Sequence, residues 1–537
     1  MHYSHGQDCT TPQNGIYSAP LVSTWTARGR DKKETSMSSK TIKRPTLGLA
    51  LLPIVLTLGV LGIQLFYFKD FTPHIPLAFG IAITAALGKL QGHRWHDMET
   101  GALHVVNIGL QSIAILMVVG MIIGTWIASG TVPYMIHAGL QLLTPAWFLA
   151  AGMLLCSLVS VSLGTSWGTT GTVGLALMGI GAGFDIPMYW TAGAVVSGAF
   201  FGDKVSPLSD TTNLAPAVTG TNLFDHIRNM MPTTIPAMLI AFVLYLVAGY
   251  SLIDGRPADF AKIAAITQGI ESQFTLSWIV LLPAVLVLAL ALMRMPAIPS
   301  LFAGAVAGGV VAIFVQGVGL HEVFTFMHSG FKLDSGITEI DKLLNRGGIE
   351  SMTWVITLVL IALGFGGLLE HTRCLEVIVE ALLKRTRSFG SMQAAATGTA
   401  IATNLVAGDP YLSIALPGRM FAPTYRGKGY STLNLSRAVE EGGTLISPLV
   451  PWNAGGAIVI TALGLGVSDG NFENLLYIPL SFACWMSPVI GIVYAYLGWF
   501  SPKASAAERQ RWHDLGEAIQ TIEPSSDARL KVSYASS

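Results

Sequence analysis

GAFFGDKVSPLSDTTNLAPAVTGTNLFDH, residues 198–226, is a polar stretch where an ordinary loop is not expected. It lies between an apolar, Gly-rich run at 187–201 and a longer apolar run at 232–253, and it carries Asp203, Lys204, Ser206, Ser209, Asp210, Thr211, Thr212 and Asn213. A second stretch of the same kind, SRAVEEGGTLISPLVPWNAGG, occupies 436–456 and is followed by an apolar run at 454–467. Irregular backbone at membrane depth survives only where protein buries it or where it lines a watery cavity. These two stretches therefore predict helices broken inside a membrane bundle.

The surroundings supply the bundle. Hydrophobic residues make up 52% of the 537 and charged residues only 12%, about half the charge of an average soluble chain. A spanning helix needs about 20 mostly apolar residues. Candidates lie at 46–68, 75–90, 104–128, 147–163, 170–181, 187–201, 232–253, 274–293, 298–319, 352–371, 391–407, 454–467 and 475–499. Those at 170–181, 187–201 and 454–467 are short and interrupted by Gly or Pro. The expected fold is an all-α polytopic membrane protein of about 11–13 membrane segments, with broken or re-entrant helices.

The same composition narrows the function. The net charge is zero, which gives no footing for nucleic acid. Cys9, Cys156, Cys374 and Cys484 form no CxxC pair, and three of them sit in or beside apolar segments, so neither a metal site nor a disulfide framework is expected. Phosphate-binding loops, nucleophile elbows and zinc patterns are absent, which argues against an ATPase or a membrane enzyme. No resident cofactor is called for; the expected partners are membrane lipid and the transported ions, and a homo-oligomer is compatible with the sequence.

Three regions follow: a polar N-terminal extension at 1–45 expected to be disordered, a transporter domain at 46–500 with halves at about 46–253 and 274–500, and a tail at 501–537. Met37 opens MSSKTIKRPTLGLALLPIVL and reads as a natural start, with 1–36 as an upstream extension. Basic residues in short loops favour the cytoplasmic side. Lys40, Lys43 and Arg44 precede the first segment, Lys89 and Arg94 follow the second, and Arg373, Lys384, Arg385 and Arg387 follow 352–371. They put the N-terminus and the tail in the cytoplasm and the 320–350 loop outside.

The two halves echo each other. Ser206-Pro207-Leu208 precedes Asn213, and Ser447-Pro448-Leu449 precedes Asn453. Upstream lie GTSWGTTGTVG (164–174) and TNLVAGDPYLS (403–413), and Gly168 stands as far before Ser206 as Asp409 before Ser447. Paired interruptions of this kind point to a transport site at the repeat interface. A chance match of two short tripeptides is the competing explanation.

The carboxylates at this depth are Asp203, Asp210, Asp409, Glu440 and Glu441, each costing about 2.5–3.5 kcal/mol on insertion scales. Asp210 is the leading ion-binding and proton-coupling candidate, followed by Asp203, Asp409 and Glu441, with oxygen donors Ser206, Thr211, Thr212, Asn213, Ser447 and Asn453 around them. Hard cations such as Na⁺ take oxygen ligands, and a carboxylate withdrawn from water also holds a proton more readily. One carboxylate can thus alternate between Na⁺ and H⁺. The plainer roles are helix caps for Asp409 and for the Asp and Ser residues of the first break. Of Glu440 and Glu441, adjacent on one helix, at most one is expected to reach the site while the other pairs with Arg437. Thr165, Ser166, Thr169 and Thr170 either line the pathway or bond their own helix.

GTSWGTTGTVGLALMGIG (164–181), GAFFGDKVSPLSDTTNLAPAVTGTNLFDHIRNMMPTTIPA (198–237) and EEGGTLISPLVPWNAGGA (440–457) together resemble the NhaC-type Na⁺/H⁺ antiporters. The likeness runs from about residue 46 to 500. It implies Na⁺/H⁺ exchange by alternating access in a bacterial inner membrane, on an inverted-repeat helical fold. The family is similar to malate/lactate antiporters of the MleN type, so an organic-acid exchanger coupled to Na⁺ and H⁺ is the alternative. In that case Arg419 or Arg437 would meet the anion. A channel is a third reading, disfavoured by one polar break per half.

Overall fold

The computed structural model of the protein describes residues 43–253, 260–336, 338–467 and 470–514. Nearly all of the N-terminal extension, including Cys9 and Met37, and most of the tail lie outside the described residues.

Among the described residues the regular structure is helical apart from one isolated bridge between Tyr430 and Lys503. The helices that build the bundle are α1 (Leu47–Gly62), α2 (His74–Gln91), α3 (Leu110–Ala128), α4 (Pro145–Leu163), α5 (Ser166–Thr169, a π turn at Thr170–Gly174, then Leu175–Gly183), α6 (Met188–Val205), α7 (Asp210–Thr219) and α8 (Leu223–Ile253). The chain continues with α9 (Ala297–Gln316), α10 (Gly348–His371), α11 (Phe389–Ala407), α12 (Pro410–Gly427), α13 (Thr432–Gly443), α14 (Ala454–Ala462) and α15 (Phe482–Leu497).

Among the described residues, seven stretches are long and apolar enough to cross a bilayer by themselves. Two bent pairs, Ala261–Gln273 with Trp278–Leu292 at 92° and Phe472–Leu480 with Phe482–Leu497 at 43°, bring the number to nine. The other helices expected at 75–90, 170–181, 187–201 and 391–407 are present as α2, α5, α6 and α11. They fall short in length or apolarity; for α5 and α6 the surroundings are protein, since both are almost wholly buried. The interruption expected within 187–201 comes later, since α6 runs unbroken to Val205.

Lipid-facing surfaces are legible as exposed apolar stripes: Leu51, Leu52, Val55 and Leu56 on α1, Leu239, Val243 and Val247 on α8, Phe302, Val306, Val310 and Phe314 on α9. Exposure on this scale is incompatible with an aqueous surface. The protein is a multi-pass membrane protein. Cys156, Cys374 and Cys484 are buried and free, as small apolar residues would be.

Small residues set the inner packing. α6 lies so close to α4 that a Cβ on Gly198 would stand 2.1 Å from the Met153 carbonyl oxygen, and one on Gly202 would stand 2.5 Å from Ser160 Cβ. Glycines four apart let membrane helices approach in this way. In the second half Gly442 of α13 meets α11 similarly, its missing Cβ 2.7 Å from both Ala400 Cβ and the Thr397 carbonyl oxygen.

This contact predicts a stability difference between two glycines. Gly198→Ala should cost about 1–3 kcal/mol through overpacking. Gly59→Ala, on α1 with nothing within 4 Å, should be neutral or gain up to about 1 kcal/mol from helix propensity. Thermal unfolding of the purified protein in detergent separates the two.

Candidate functional site

Each half contains a helix that stops inside the protein on a left-handed glycine. α4 ends at Gly164 (φ 67°) and α11 at Gly408 (φ 62°). The next residue caps a new helix with its side chain: Thr165 accepts from the Gly168 N–H at 3.3 Å, and Asp409 Oδ1 accepts from the Leu412 N–H at 2.9 Å. Pro410 takes the first helical position, where its missing N–H costs nothing. Thr165 and Asp409 thus act alike as side-chain caps after a glycine stop, Thr165 standing three positions before the Gly168 that equal spacing selects.

In both halves this break touches the second one. A Cβ on Gly164 would fall 2.7 Å from the backbone of Leu208, in the Ser-Pro-Leu segment after α6. A Cβ on Gly408 would fall 3.2 Å from the Trp452 carbonyl oxygen, and the Gly408 carbonyl accepts from the Ala454 N–H at 2.9 Å. Side chains satisfy the freed backbone. Ser206 donates to the Val161 carbonyl at 2.7 Å, and Thr212 donates to the carbonyls of Asp203 and Lys204 at 2.9 and 3.0 Å. Asn404 donates to those of Gly442 and Gly443 at 2.7 Å each, and Asn453 Nδ2 donates to Asn404 Oδ1 at 2.8 Å.

Asp203 sits on the last turn of α6 and faces the start of α5. Its Oδ2 accepts from the Ser166 backbone N–H at 3.1 Å and from the Ser166 hydroxyl at 2.6 Å. A carboxylate at a helix N-terminus meets free N–H groups and a favourable dipole. Its other oxygen, Oδ1, is buried without a partner. Asp210 opens α7, and its Oδ2 accepts from the Tyr411 hydroxyl at 2.7 Å and from Gln111 Nε2 at 3.1 Å. Asp210 thus joins α7 to both α12 and α3.

Asp203 and Asp210 border one small cavity with Thr165, Ser166, Thr211, Thr444 and Ser447, walled by Ile115, Trp167, Phe200, Pro410 and Tyr411. The room for the centre of a water-sized sphere is about 20 Å³, enough for one water or one bare small cation. Its lining holds two carboxylates and no Lys, Arg or His.

Of the residues singled out from sequence, Asp203, Asp210, Thr211, Ser447, Thr165 and Ser166 meet at this cavity. The others stand around it. Asp409 is a buried cap whose Oδ2 has no partner. Ser206, Thr212 and Asn453 hold the breaks, and Asn213 donates to the Pro207 and Ser209 carbonyls at 2.9 and 2.6 Å on the exposed side of α7. Thr169 and Thr170 bond back to the carbonyls of Thr165 and Ser166. Glu441 is ion-paired with Lys204 at 3.2 Å, both side chains fully buried. Neither arginine lines the cavity: exposed Arg419 pairs with half-buried Glu370, and Arg437 donates to the carbonyls of Asn229 and Phe500. Tyr411, Gln111 and Thr444 were not foreseen; Gln111 alone left a signal, as an amide inside the apolar run at 104–128.

A helical bundle whose paired breaks meet at a pocket of carboxylates and hydroxyls is built as a secondary transporter, not as an enzyme. Comparison with known proteins names the kind. The model of the Na⁺/H⁺ antiporter family matches residues 198–499. The chain is 40% identical over 457 residues to the Na⁺/H⁺ antiporter NhaC of Alkalihalophilus pseudofirmus, covering 85% of this chain and 96% of that protein. It is 38% identical over 461 residues to the arginine/ornithine antiporter ArcD of Halobacterium salinarum, covering 85% and 93%. It is 34% identical over 464 residues to the malate-2H⁺/Na⁺-lactate antiporter of Bacillus subtilis, covering 86% and 97%. The chain belongs to the NhaC-type Na⁺/H⁺ antiporter family.

The buried Lys204–Glu441 pair predicts a stability signature. Lys204→Met strands a buried carboxylate and should cost about 3–5 kcal/mol, whereas Lys204→Met with Glu441→Met should recover most of that loss. Thermal unfolding of the single and double variants in detergent measures both.

Proposed function

We propose that this protein exchanges Na⁺ for H⁺ across a bacterial cytoplasmic membrane, with its N-terminus in the cytoplasm. The observation that carries the reading is the cavity: it fits one small cation, is bordered by Asp203 and Asp210, and has no basic side chain in its lining. An organic anion would need a cationic or N–H partner at that place. The hydroxyls of Thr165, Ser166, Thr211 and Ser447 supply neutral oxygens suited to a hard monovalent ion.

In this mechanism Asp210 binds Na⁺ or H⁺ but not both, because the two compete for the same carboxylate oxygens. Tyr411 and Gln111 orient that carboxylate and link the ion to helices of both halves. Asp203, held at the start of α5, supplies a second charge that a bound cation neutralises. The halves, taken as inverted repeats, rock about these breaks, so that the loaded carboxylates face each side of the membrane in turn. The short helices and glycine stops give the hinges on which such rocking depends.

A second reading, an organic-acid or amino-acid antiporter with Na⁺ or H⁺ as coupling ion, draws support from the printed functions of two relatives, malate/lactate and arginine/ornithine exchange. The positions of Arg419 and Arg437 away from the cavity weigh against an anion at this place.

Asp210→Asn should insert and fold like the wild type, yet Na⁺-driven proton movement in proteoliposomes should drop to the protein-free background. Wild-type exchange by this variant refutes the role of Asp210. A wild-type protein that moves protons on addition of lactate or malate but not of Na⁺ alone refutes the ion reading.

A further inference from the structure

We infer that Glu508, on the segment that follows the last membrane helix, is a positioning residue for the ion site: it fixes the start of α13, and the far end of α13 leads into the cavity wall. The inference rests on the Na⁺/H⁺ reading above only for the ion used in its transport test.

Beyond α15 the chain folds back along the turn between α12 and α13 and is tied to it at every step. Phe500 lies at φ 47°, a left-handed conformation that a bulky residue adopts only where its surroundings impose it. Its carbonyl accepts from Nη1 of the buried Arg437 at 3.1 Å. The Pro502 carbonyl accepts from the Ser431 N–H at 3.2 Å and from Asn434 Nδ2 at 2.8 Å. Lys503 forms the isolated bridge to Tyr430, and the Ala504 N–H donates to the Gly429 carbonyl at 3.0 Å.

A last described helix, α16 (Ala506–Asp514), then brings in a half-buried carboxylate. Glu508 Oε1 accepts from the Ser431 hydroxyl at 2.9 Å, the Thr432 N–H at 3.0 Å and the Thr432 hydroxyl at 3.2 Å. One turn on, Trp512 is buried with the Arg426 guanidinium 5.7 Å from its ring centre.

α13 depends on such help. Its sequence, TLNLSRAVEEGG, is rich in Thr, Asn, Ser, Val and Gly, all weaker helix formers than Ala or Leu. Ser431 caps the Leu433 N–H at 3.2 Å from within the helix start. The N–H of Thr432, the first helical residue, is satisfied instead by Glu508, 76 positions away in the chain. A carboxylate there also meets the favourable end of the helix dipole.

The helix so fixed is a rod of 12 residues, about 18 Å long. Glu441 near its far end pairs with Lys204, the neighbour of Asp203 in sequence. The rod stops at Gly443, and Thr444 and Ser447, which line the ion cavity, follow at once. A shift at the Glu508 end therefore reaches the cavity through one rigid element. A site held in its binding geometry for only part of the time binds more weakly in proportion. Excess ion restores that geometry, so the loss falls on half-saturation and not on the maximal rate.

The test uses the full-length chain with Glu508→Ala, Glu508→Gln and Gln510→Ala. Gln510 bonds Asp514 of its own helix and serves as the control. In detergent, Glu508→Ala should speed hydrogen exchange at 432–435 and also at 444–450. In proteoliposomes it should raise the half-saturating Na⁺ for proton movement about 3-fold or more, with the rate at saturating Na⁺ near wild type. Glu508→Gln, which keeps an acceptor oxygen and loses the charge, should show a smaller rise, and Gln510→Ala none. A purely structural strap would lower the amount of folded protein, hence the maximal rate, and leave half-saturation alone; that result overturns the inference. Unchanged exchange at 444–450 in Glu508→Ala overturns it too. If Glu508→Ala does not fold, wild-type half-saturation in Glu508→Gln overturns it. If the wild type moves no protons on addition of Na⁺, the Na⁺/H⁺ reading fails, and exchange at 444–450 decides the role of Glu508 by itself.

Discussion

A helix that stops inside a membrane protein leaves backbone donors and acceptors that lipid cannot satisfy. The centre of this protein is organised by that constraint. Two helices end at Gly164 and Gly408, two more segments break after Val205 and Gly443, and each exposed backbone group needs a polar side chain. Ser206, Thr212, Asn404 and Asn453 meet part of the need with neutral groups. Asp203 meets another part with a charge, by accepting from the start of α5. The polar cluster that stabilises the breaks is thus the same cluster that can hold an ion.

Charge accounting shows why such a cluster is more than a set of caps. Asp203, Asp409, Glu440 and Glu441 are buried and Asp210 is half-buried, against the buried bases Lys204, Arg437 and His226. One lysine cancels Glu441. Asp203, Asp409, Glu440 and Glu441 each keep one buried oxygen without a partner, and Arg437 keeps two such nitrogens. A buried polar atom without a partner is rare and calls for an explanation. The proposed exchange of protons and small cations would supply one, because occupancy by either would complete the hydrogen-bonding and charge requirements of these carboxylates.

How much of this was legible in the sequence depended on range. The helical membrane fold could be read from apolar runs interrupted by Gly, Pro and oxygen-bearing residues, since those signals are local. Asp203, Asp210, Ser166 and Ser447 could be nominated because they stand inside the interruptions. The function of Asp409 as a cap was legible from the following proline. Partnerships across the fold were not. Tyr411 meets Asp210 over 201 positions of chain and Lys204 meets Glu441 over 237, distances at which sequence pattern carries no register. The different partners of Glu440, which accepts from Thr444, and Glu441, which pairs with Lys204, turned on the packing of α13, a helix buried from Asn434 to Gly443, where no solvent-facing side marks its rotation. The three-residue offset between Gly168 and Thr165 has the same origin: equal spacing matches positions, whereas the glycine stop and the cap fix the geometry.

The central claim is that Na⁺ and H⁺ compete for the same buried carboxylates. Its most direct test is the half-saturating Na⁺ concentration for exchange in proteoliposomes, measured across a series of pH values. Competition predicts that half-saturation rises steadily as pH falls, while the maximal rate at saturating Na⁺ is much less affected. A half-saturation that stays constant over a pH range in which exchange itself changes would contradict the account, because Na⁺ and H⁺ would then bind at separate places.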